Sequence, residues 1–161
     1  MRRLFAVKGR APDKPLPLFV ASAADLPRVA VDVPRAARRL AERFWPGPLT
    51  LILKAKPGLP FGIVGTQGTI AARISSHPIA HRLVNILGRP ITATSANLAG
   101  KEEPTRAEQV LKSFAGQLDL ILDAGPTPGG KASTLVDLTG KSPRILRPGA
   151  ISGEEMGLGE T

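Results

Sequence analysis

Helical and strand-like segments alternate along this chain of 161 residues, and the alternation restricts the fold more than any other feature. Apolar residues recur at helical spacing over 34–44, and WPGP at 45–48 ends that helix. The next segment, LTLILK at 49–54, is short, apolar and rich in strand-forming residues, which predicts a buried strand. Helices interleaved with strands indicate an α/β fold.

The remaining predicted elements continue this order. They are a strand at 68–74, a helix from Pro78 to Gly88, a strand at 90–94, a helix opened by a capping box of Thr105 and Glu108, and strands at 118–125 and 133–138. PRILRPG at 143–149 follows the last of these with no helix between them, so the two segments are expected to pair as antiparallel strands. The predicted sheet is therefore mixed.

Length and composition indicate one domain. Hydrophobic residues make up 42% of the chain and no linker divides it, so one core is expected within residues 1–150. Residues 151–161 contain three Gly and three Glu in place of apolar periodicity, which predicts a flexible tail. No apolar run approaches the ~20 residues that cross a bilayer, and MRRLFAVKGR lacks the pattern of a signal peptide. We expect a cytoplasmic protein without membrane contact.

The net charge and the residue types that the chain lacks limit the reactions and partners that are possible for it. The formal charge is +9, and residues 1–43 hold ten basic against four acidic side chains, a bias that favours phosphate-bearing partners. The absence of Cys excludes thiolate nucleophiles and Cys-based zinc sites. His77 and His81 stand four residues apart without a nearby carboxylate, so no metal site is predicted. Aromatic residues are only 4% of the chain, which argues against a purely RNA-binding protein.

Three cations lie near the start of the chain. Lys8, Arg10 and Lys14 flank a glycine and a stiff proline segment, an arrangement that suits a polyphosphate. A solvated basic turn is the commoner interpretation of such a motif on its own. In the strand at 68–74, the period of two places Thr69 and Arg73 on one face, so an arginine is directed off the sheet beside a hydroxyl group.

Two loops offer further polar groups. TSAN at 94–97 follows a predicted strand, and ligands bind at strand ends in open α/β sheets, but a plain polar turn explains the segment equally well. Ser133 has the same two interpretations. GPTPGGKA at 125–132 is close to a phosphate-binding P-loop, yet Ala132 replaces the required Ser or Thr and a strand follows instead of a helix. We reject the P-loop.

These segments occur in an order that resembles the YrdC family of threonylcarbamoyl-adenylate synthases. The matching stretches are KGRAPDKPLPLFV, FWPGPLTLILK, TIAARISSHPIA, PITATSANLAGKEEPT, LILDAG, and KASTLVDL leading to ILRPG. They span nearly all of residues 4–150. The resemblance implies a twisted mixed sheet flanked by helices around a basic concave cleft.

The resemblance also implies an activity. Relatives condense L-threonine, bicarbonate and ATP with Mg²⁺ to threonylcarbamoyl-AMP and pyrophosphate. The product supplies the threonylcarbamoyl group that other proteins transfer to an adenosine next to tRNA anticodons. Such a reaction needs several anions held together and no covalent nucleophile, which agrees with the lack of Cys.

Site residues carried over by the resemblance fall into three groups. Lys8 and Arg10 match the catalytic cations. The ATP contacts would be Arg10, Lys14, Thr69, Asn97, Thr105 and Arg147. The threonine contacts would be Arg73, for the carboxylate, with Ser95 and Ser133.

Two features depart from the family pattern. Family members begin with a helix and a strand that carries a Pro-Thr-Asp-Thr-x-Tyr-Gly-Leu type segment, and this chain starts after it. We therefore expect an incomplete N-terminus, a missing central strand and an exposed sheet edge. Phe19 stands where relatives often have a histidine near threonine. A second hypothesis follows from the charge of +9, namely a non-catalytic module that binds tRNA or double-stranded RNA in the same basic cleft.

Overall fold

The computed structural model describes residues 1–11, 13–127 and 129–158. The described helices are α1 (Arg2–Lys8), α2 (Leu26–Val29), α3 (Arg35–Phe44), α4 (Pro78–Leu87) and α5 (Ala107–Phe114), with a 3-10 turn at Ala23–Asp25. The strands are β1 (Leu18–Phe19), β2 (Leu49–Lys54), β3 (Thr69–Arg73), β4 (Ile91–Thr92), β5 (Thr134–Asp137) and β6 (Arg144–Arg147). The strands form one sheet in the order β4-β1-β3-β2-β5-β6.

The sheet is mixed, as the sequence predicts. Strand β1 pairs in parallel with β3, and β2 pairs in parallel with β5. The β1–β4, β2–β3 and β5–β6 pairs are antiparallel. The predicted antiparallel pairing of the last two segments is confirmed, because the short 138–143 connection leaves no room for a crossover helix.

One face of the sheet carries the hydrophobic core. Leu49, Leu51 and Leu53 alternate along β2 and are fully buried, together with Ile70 and Ala72 of β3. Helix α3 covers this face, and its buried residues Ala37, Leu40 and Ala41 belong to the same cluster. The opposite face carries Thr69, Ala71 and Arg73, all half-buried, so the predicted two-residue period of this strand is confirmed.

The predicted helices at 34–44 and 78–88 are confirmed. Pro34 lies at the N-cap of α3 and Trp45 at its C-cap. Gly88 ends α4 with φ of 61°, in the left-handed region that glycine adopts without a steric penalty. Local signals sufficed here because both helices carry a strong apolar stripe between clear end signals.

Two local predictions are wrong, and a third is confirmed only in part. Residues 118–125 form no strand, and Leu118, Leu120 and Leu122 are exposed, because no described strand pairs with this segment. The predicted strand at 90–94 shrinks to β4, Ile91–Thr92. At the start of α5, Gln109 rather than Glu108 closes the turn, since its Oε1 accepts from the backbone N–H groups of Thr105 (2.8 Å) and Arg106 (3.0 Å).

Residues 151–158 differ from the expected tail. Ile151 and Met156 are buried and belong to the core cluster, and Leu158 packs against it. Thr134, fully buried in β5, exchanges hydrogen bonds with Ile151: its Oγ1 donates to the carbonyl (2.6 Å) and accepts from the N–H (3.0 Å). The apolar side chains that stand among the Gly and Glu residues therefore pack this segment against the core. Residues 159–161 lie outside the described part of the chain.

Asp137, at the end of β5, gives a stability test. Its Oδ1 accepts hydrogen bonds from Thr139 N–H (2.9 Å) and Oγ1 (2.7 Å), and its Oδ2 pairs with Arg144 (3.3 Å). Burial alone would raise the pKa of Asp137, but the Thr139 hydrogen bonds and the Arg144 charge outweigh it and lower that pKa.

We expect Asp137→Asn to destabilise the protein by about 1–2 kcal/mol at neutral pH. A carboxylate whose pKa is lowered by folding stabilises the native state above its unfolded-state pKa, and this contribution disappears as pH falls through the folded-state pKa. Urea unfolding at several pH values measures the effect. The difference from the unaltered protein should shrink below about pH 4, and a pH-independent difference would contradict this assignment.

Candidate functional site

The sheet face opposite the core carries two of the predicted site residues, Thr69 and Arg73. Thr69 begins β3 and Arg73 ends it, so about 13 Å of strand separates them on this face. Ala71 lies between them on the same face and is half-buried. The parallel register places Phe19 of β1 directly beside Arg73.

Arg73 is held at one end of this face. Its Nε donates to the carbonyl of Gly47 (2.8 Å), and its guanidinium lies 5.9 Å from the ring centroid of Phe19. Burial lowers the pKa of Arg73, yet arginine stays protonated in proteins, so a fixed positive charge lies in a partly desolvated place. Such a group suits a carboxylate.

Ser133 and Arg147 lie at the same end of the sheet. An Arg147 Nη donates to the Ser133 carbonyl (2.8 Å) and contacts its Oγ (3.2 Å). Ser133 Oγ also forms a 2.8 Å hydrogen bond with Thr50 Oγ1. The structure therefore brings two of the predicted residues into direct contact, and strand β2 separates them from β3, which carries Arg73.

Lys8, Ser95 and Asn97 form a second group. Lys8 Nζ donates to the carbonyls of Ser95 and Asn97 (both 2.5 Å) and to Asn97 Oδ1 (3.1 Å). Ser95 Oγ donates to the same Oδ1 (2.6 Å), and Asn97 Nδ2 donates to the Lys101 carbonyl (2.6 Å). Residues nearly ninety positions apart are thus joined at one point, which the polar segment at 94–97 alone could not reveal.

The ammonium group of Lys8 is buried, with only 6% of the residue exposed. Burial and the nearby charge of Arg10 lower the pKa of Lys8, and Glu103 opposes them. Its three N–H bonds all meet protein oxygens in this arrangement, so Lys8 holds the 95–97 loop against the end of α1.

Arg10 and Lys14 continue the second group. The Arg10 guanidinium donates to the carbonyls of Lys14 and Pro15 (both 3.1 Å), which turns Arg10 back onto these two residues. This segment reaches Thr69 through Gly65: a Cβ on Gly65 would lie 3.1 Å from Thr69 Oγ1 and 3.5 Å from Pro15. Arg10, Lys14 and Thr69 therefore share one end of the site face.

Thr105 lies in a separate part of the site. Its carbonyl accepts from Thr127 N–H (2.8 Å), and it lines a cavity of about 350 Å³ together with Ala96. Ala96 also lines a cavity of about 620 Å³ that contains Lys8 and Ser95. Among the described residues, no hydrogen bond links these groups to Arg73, Ser133 or Arg147.

Side chains that could bind a metal do not cluster within the described ranges. No three His, Cys, Asp or Glu side chains in residues 1–11, 13–127 and 129–158 lie together as a metal site. His81 Nε2 instead contacts the Ala21 carbonyl at 2.9 Å. In the same part of the chain, no helix has the length and apolar composition needed to cross a membrane.

Two residues that hold the site together were not predicted from the sequence. Thr50 is buried, with 5% of the residue exposed, and its hydroxyl group forms a hydrogen bond with Ser133. Gly47 supplies the carbonyl group that accepts a hydrogen bond from Arg73. A threonine within an otherwise apolar strand was the available signal for the first. Gly47 had no such signal, because only its main chain takes part.

Known proteins resemble nearly the whole chain. The family model Sua5_yciO_yrdC, with the description "Telomere recombination", matches residues 1–149. The threonylcarbamoyl-AMP synthase of Pyrococcus abyssi is 44% identical over 156 residues, which are 97% of this chain and 46% of that protein. The crystal structure of P. abyssi Sua5 complexed with L-threonine matches with a TM-score of 0.90 at 44% identity, covering 96% of this chain and 46% of that one.

A shorter relative has the same fold. Escherichia coli YciO matches with a TM-score of 0.85 at 29% identity, covering 97% of this chain and 76% of that one. These likenesses confirm the predicted YrdC-like α/β fold. The chain spans less than half the length of the P. abyssi synthase.

Proposed function

This chain belongs to the Sua5, YciO and YrdC family, and from that membership we propose that it is a threonylcarbamoyl-AMP synthase domain. The substrates are L-threonine, bicarbonate and ATP. The observation that supports the proposal is the group of Lys8, Ser95 and Asn97. Lys8 bonds the other two residues, and Arg10, bonded to the Lys14 carbonyl, continues this group. That arrangement concentrates positive charge and polar groups at one end of an open sheet face.

The threonine site is the Arg73 end of the face. Arg73 binds the threonine carboxylate, and Ser133 is the proposed hydroxyl contact at this end. Ser95, the other residue that the resemblance assigns to threonine, lies in the Lys8 group at the Arg10 end of the face. The L-threonine complex of P. abyssi Sua5, 44% identical to this chain, supports a threonine substrate. Phe19 stacks beside Arg73 and makes this end more apolar than a histidine would.

The nucleotide site is the Arg10 end. Arg10 and Lys14 neutralise the phosphates, with Thr69, Asn97 and Thr105 as the further proposed contacts. Arg147, the remaining residue that the resemblance assigns to ATP, lies at the Arg73 end beside Ser133. Mg²⁺ belongs to the ATP substrate in this scheme. Because the described residues form no carboxylate cage, its ligands would be phosphate oxygens and water, an environment that Mg²⁺ commonly keeps.

The chemistry requires two bond-forming steps. The threonine amine attacks the carbon of bicarbonate, and loss of water gives a carbamate. A carbamate oxygen then attacks the α-phosphorus of ATP, and pyrophosphate leaves with the electron pair of the broken P–O bond. Arg10 serves these steps by holding the phosphates and offsetting their negative charge. Lys8, predicted as a catalytic cation, has all three N–H groups bonded to protein oxygens and serves these steps by holding the 95–97 loop in place.

The product has a reactive mixed anhydride, so a transferase acting on tRNA adenosine is the proposed consumer. A cytoplasmic location stays a prediction of the sequence. The RNA-binding hypothesis is not favoured, because the similar proteins are named as synthases.

Pyrophosphate release tests the function directly. The chain is incubated with ATP and Mg²⁺, and threonine and bicarbonate are each omitted in turn. Release that requires both co-substrates supports the synthase. Release that is indifferent to both would overturn it for this chain.

We expect Arg10→Ala to lower this turnover by about 100-fold, since it removes a charge from the phosphate end of the site. Arg38→Ala is the matched control. Arg38 is exposed on α3, which covers the opposite face of the sheet, so its removal should change turnover by no more than about two-fold. Equal losses in the two variants would refute the placement of the nucleotide site.

A further inference from the structure

Thr50 places a buried hydroxyl group on the site face of the sheet. The leucines of β2 at 49, 51 and 53 belong to the core, so the alternation of strand side chains directs Thr50 toward the opposite face. That face also carries Arg73, on the neighbouring strand β3. Leucines precede and follow Thr50, and only 5% of the residue is exposed. A polar group buried in this way needs a hydrogen-bond partner.

Ser133, which directly precedes β5, provides that partner. Thr50 Oγ1 and Ser133 Oγ lie 2.8 Å apart, and the parallel pairing of β2 with β5 brings the two residues together. An Arg147 Nη on β6 donates to the same Ser133 Oγ (3.2 Å) and to the Ser133 carbonyl (2.8 Å). Side chains from two other strands therefore meet at the Ser133 hydroxyl oxygen.

The hydrogen of the Thr50 hydroxyl group fixes the direction of these bonds. Among the described residues, Thr50 Oγ1 bonds Ser133 Oγ alone. Its hydrogen must go to that oxygen, because a buried hydroxyl hydrogen without an acceptor is costly. The guanidinium of Arg147 has no lone pair to offer and can only donate. Both lone pairs of Ser133 Oγ are therefore occupied, and the hydrogen of this half-buried residue remains for a group outside the cluster.

We propose that Thr50 is a positioning residue that holds Ser133 as a hydrogen-bond donor to a carboxylate oxygen of the substrate amino acid. The identity of that substrate, L-threonine, rests on the proposed function. A hydroxyl group held as a donor cannot bind an ammonium group, which offers only hydrogens. A carboxylate oxygen accepts such a bond strongly, and the Arg147 charge on the serine oxygen makes the donor stronger. Thr50 acts through Ser133 and does not touch the substrate.

Isothermal titration of the whole chain with L-threonine tests this role. Thr50→Val keeps the branched shape of the side chain and removes the hydroxyl group, so Ser133 loses the bond that directs its hydrogen outward. We expect the Kd for L-threonine to rise by about 10-fold. Thr50→Ser keeps the hydroxyl group and should restore the affinity. Thr139→Val is the matched control, since the Thr139 hydroxyl bonds Asp137 beyond the other end of β5. It should leave the Kd unchanged.

Two further measurements distinguish positioning from a purely structural role. If Thr50 acts through Ser133, adding Thr50→Val to Ser133→Ala leaves the Kd as it is in Ser133→Ala alone, and an additive loss would overturn the proposal. L-2-aminobutyrate keeps the carboxylate group of threonine and lacks its hydroxyl group, so Thr50→Val should weaken its binding by the same factor. A loss confined to L-threonine would assign Ser133 to the substrate hydroxyl group and refute the carboxylate contact.

The outcomes also separate this proposal from the one it rests on. If the unaltered chain and Thr50→Val bind L-threonine equally well, Thr50 has no positioning role while the threonine site stands. If the unaltered chain does not bind L-threonine, the threonine site of the proposed function fails, and the role of Thr50 fails with it.

Discussion

Replacing Lys8 by methionine is expected to lower threonine- and bicarbonate-dependent pyrophosphate release by about 100-fold. The Lys8 ammonium donates to three oxygens of the 95–97 loop, and methionine keeps the apolar stem but removes all three donors. The loop then loses the contact that sets the position of Ser95 and Asn97. A displacement of about 1 Å at a reacting group costs turnover of this order.

Lys8→Met should also destabilise the fold by about 2–3 kcal/mol, because it leaves carbonyl groups that had bonded a charged donor. A separate readout is therefore needed to show a role in the site. The pKa of Lys8 is lowered by burial and by Arg10, so its ammonium loses a proton at lower pH than an ordinary lysine. Release by the unaltered protein should fall on the alkaline side as this proton is lost.

Lys8→Arg provides the matched control for the charge. Its guanidinium stays protonated through the alkaline range, so any remaining activity should lose the alkaline fall. Lys101→Met removes a cation from the same loop without removing the Lys8 contacts, since only the Lys101 carbonyl takes part. Turnover by Lys8→Met that matches Lys101→Met would refute the positioning role.

Elements whose formation depends on their own residue pattern can be predicted from the sequence. Elements that depend on pairing with a distant segment cannot. Helix α3 and strand β2 are specified by their own apolar patterns, so they were predicted almost to the residue. The segment 118–125 has an equally strong apolar pattern and forms no strand. Its alternating leucines would need a neighbouring strand to complete a ladder, and the segment pairs with none of the described strands.

The site shows the same limit. The two-residue period of β3 correctly predicted that Thr69 and Arg73 share a face, because that property is local. The contact between Lys8 and the 95–97 loop depends on the β1–β4 pairing and on a short helix before it, neither of which has a sequence period. Lys8, Ser95 and Asn97 were identified as site residues only through the resemblance to a family. The structure then shows that Lys8 bonds the 95–97 loop.

Gly149→Ala is expected to have the largest effect on the stability of the fold. The position requires a residue without a side chain, and the sequence alone does not reveal this requirement. The sequence marks this residue only as the end of a strand. In the structure, a Cβ at Gly149 would lie 2.4 Å from both the Ala132 carbonyl oxygen and the Thr134 backbone nitrogen. These are main-chain atoms in or next to β5, so they cannot move aside as a flexible side chain would.

The methyl group must therefore push the 147–150 segment away from β5. We expect a loss of about 3 kcal/mol in the free energy of unfolding, near the upper end for overpacking, and a fall in Tm of about 6–12 °C. Arg147 would lose its 2.8 Å bond to the Ser133 carbonyl, so substrate-dependent turnover should fall as well, even at temperatures where the variant is folded.

Gly140→Ala is the matched control. The nearest atom to a Cβ at Gly140 is the Ser142 carbonyl oxygen, at 3.9 Å, which is ordinary contact. Both substitutions remove the same conformational freedom from the unfolded chain, so the difference between their Tm values isolates the clash in the folded state. Thermal unfolding followed by circular dichroism measures that difference. A Gly149→Ala variant as stable as Gly140→Ala would mean that the 147–150 segment moves freely, and Arg147 would then have no fixed place beside Ser133.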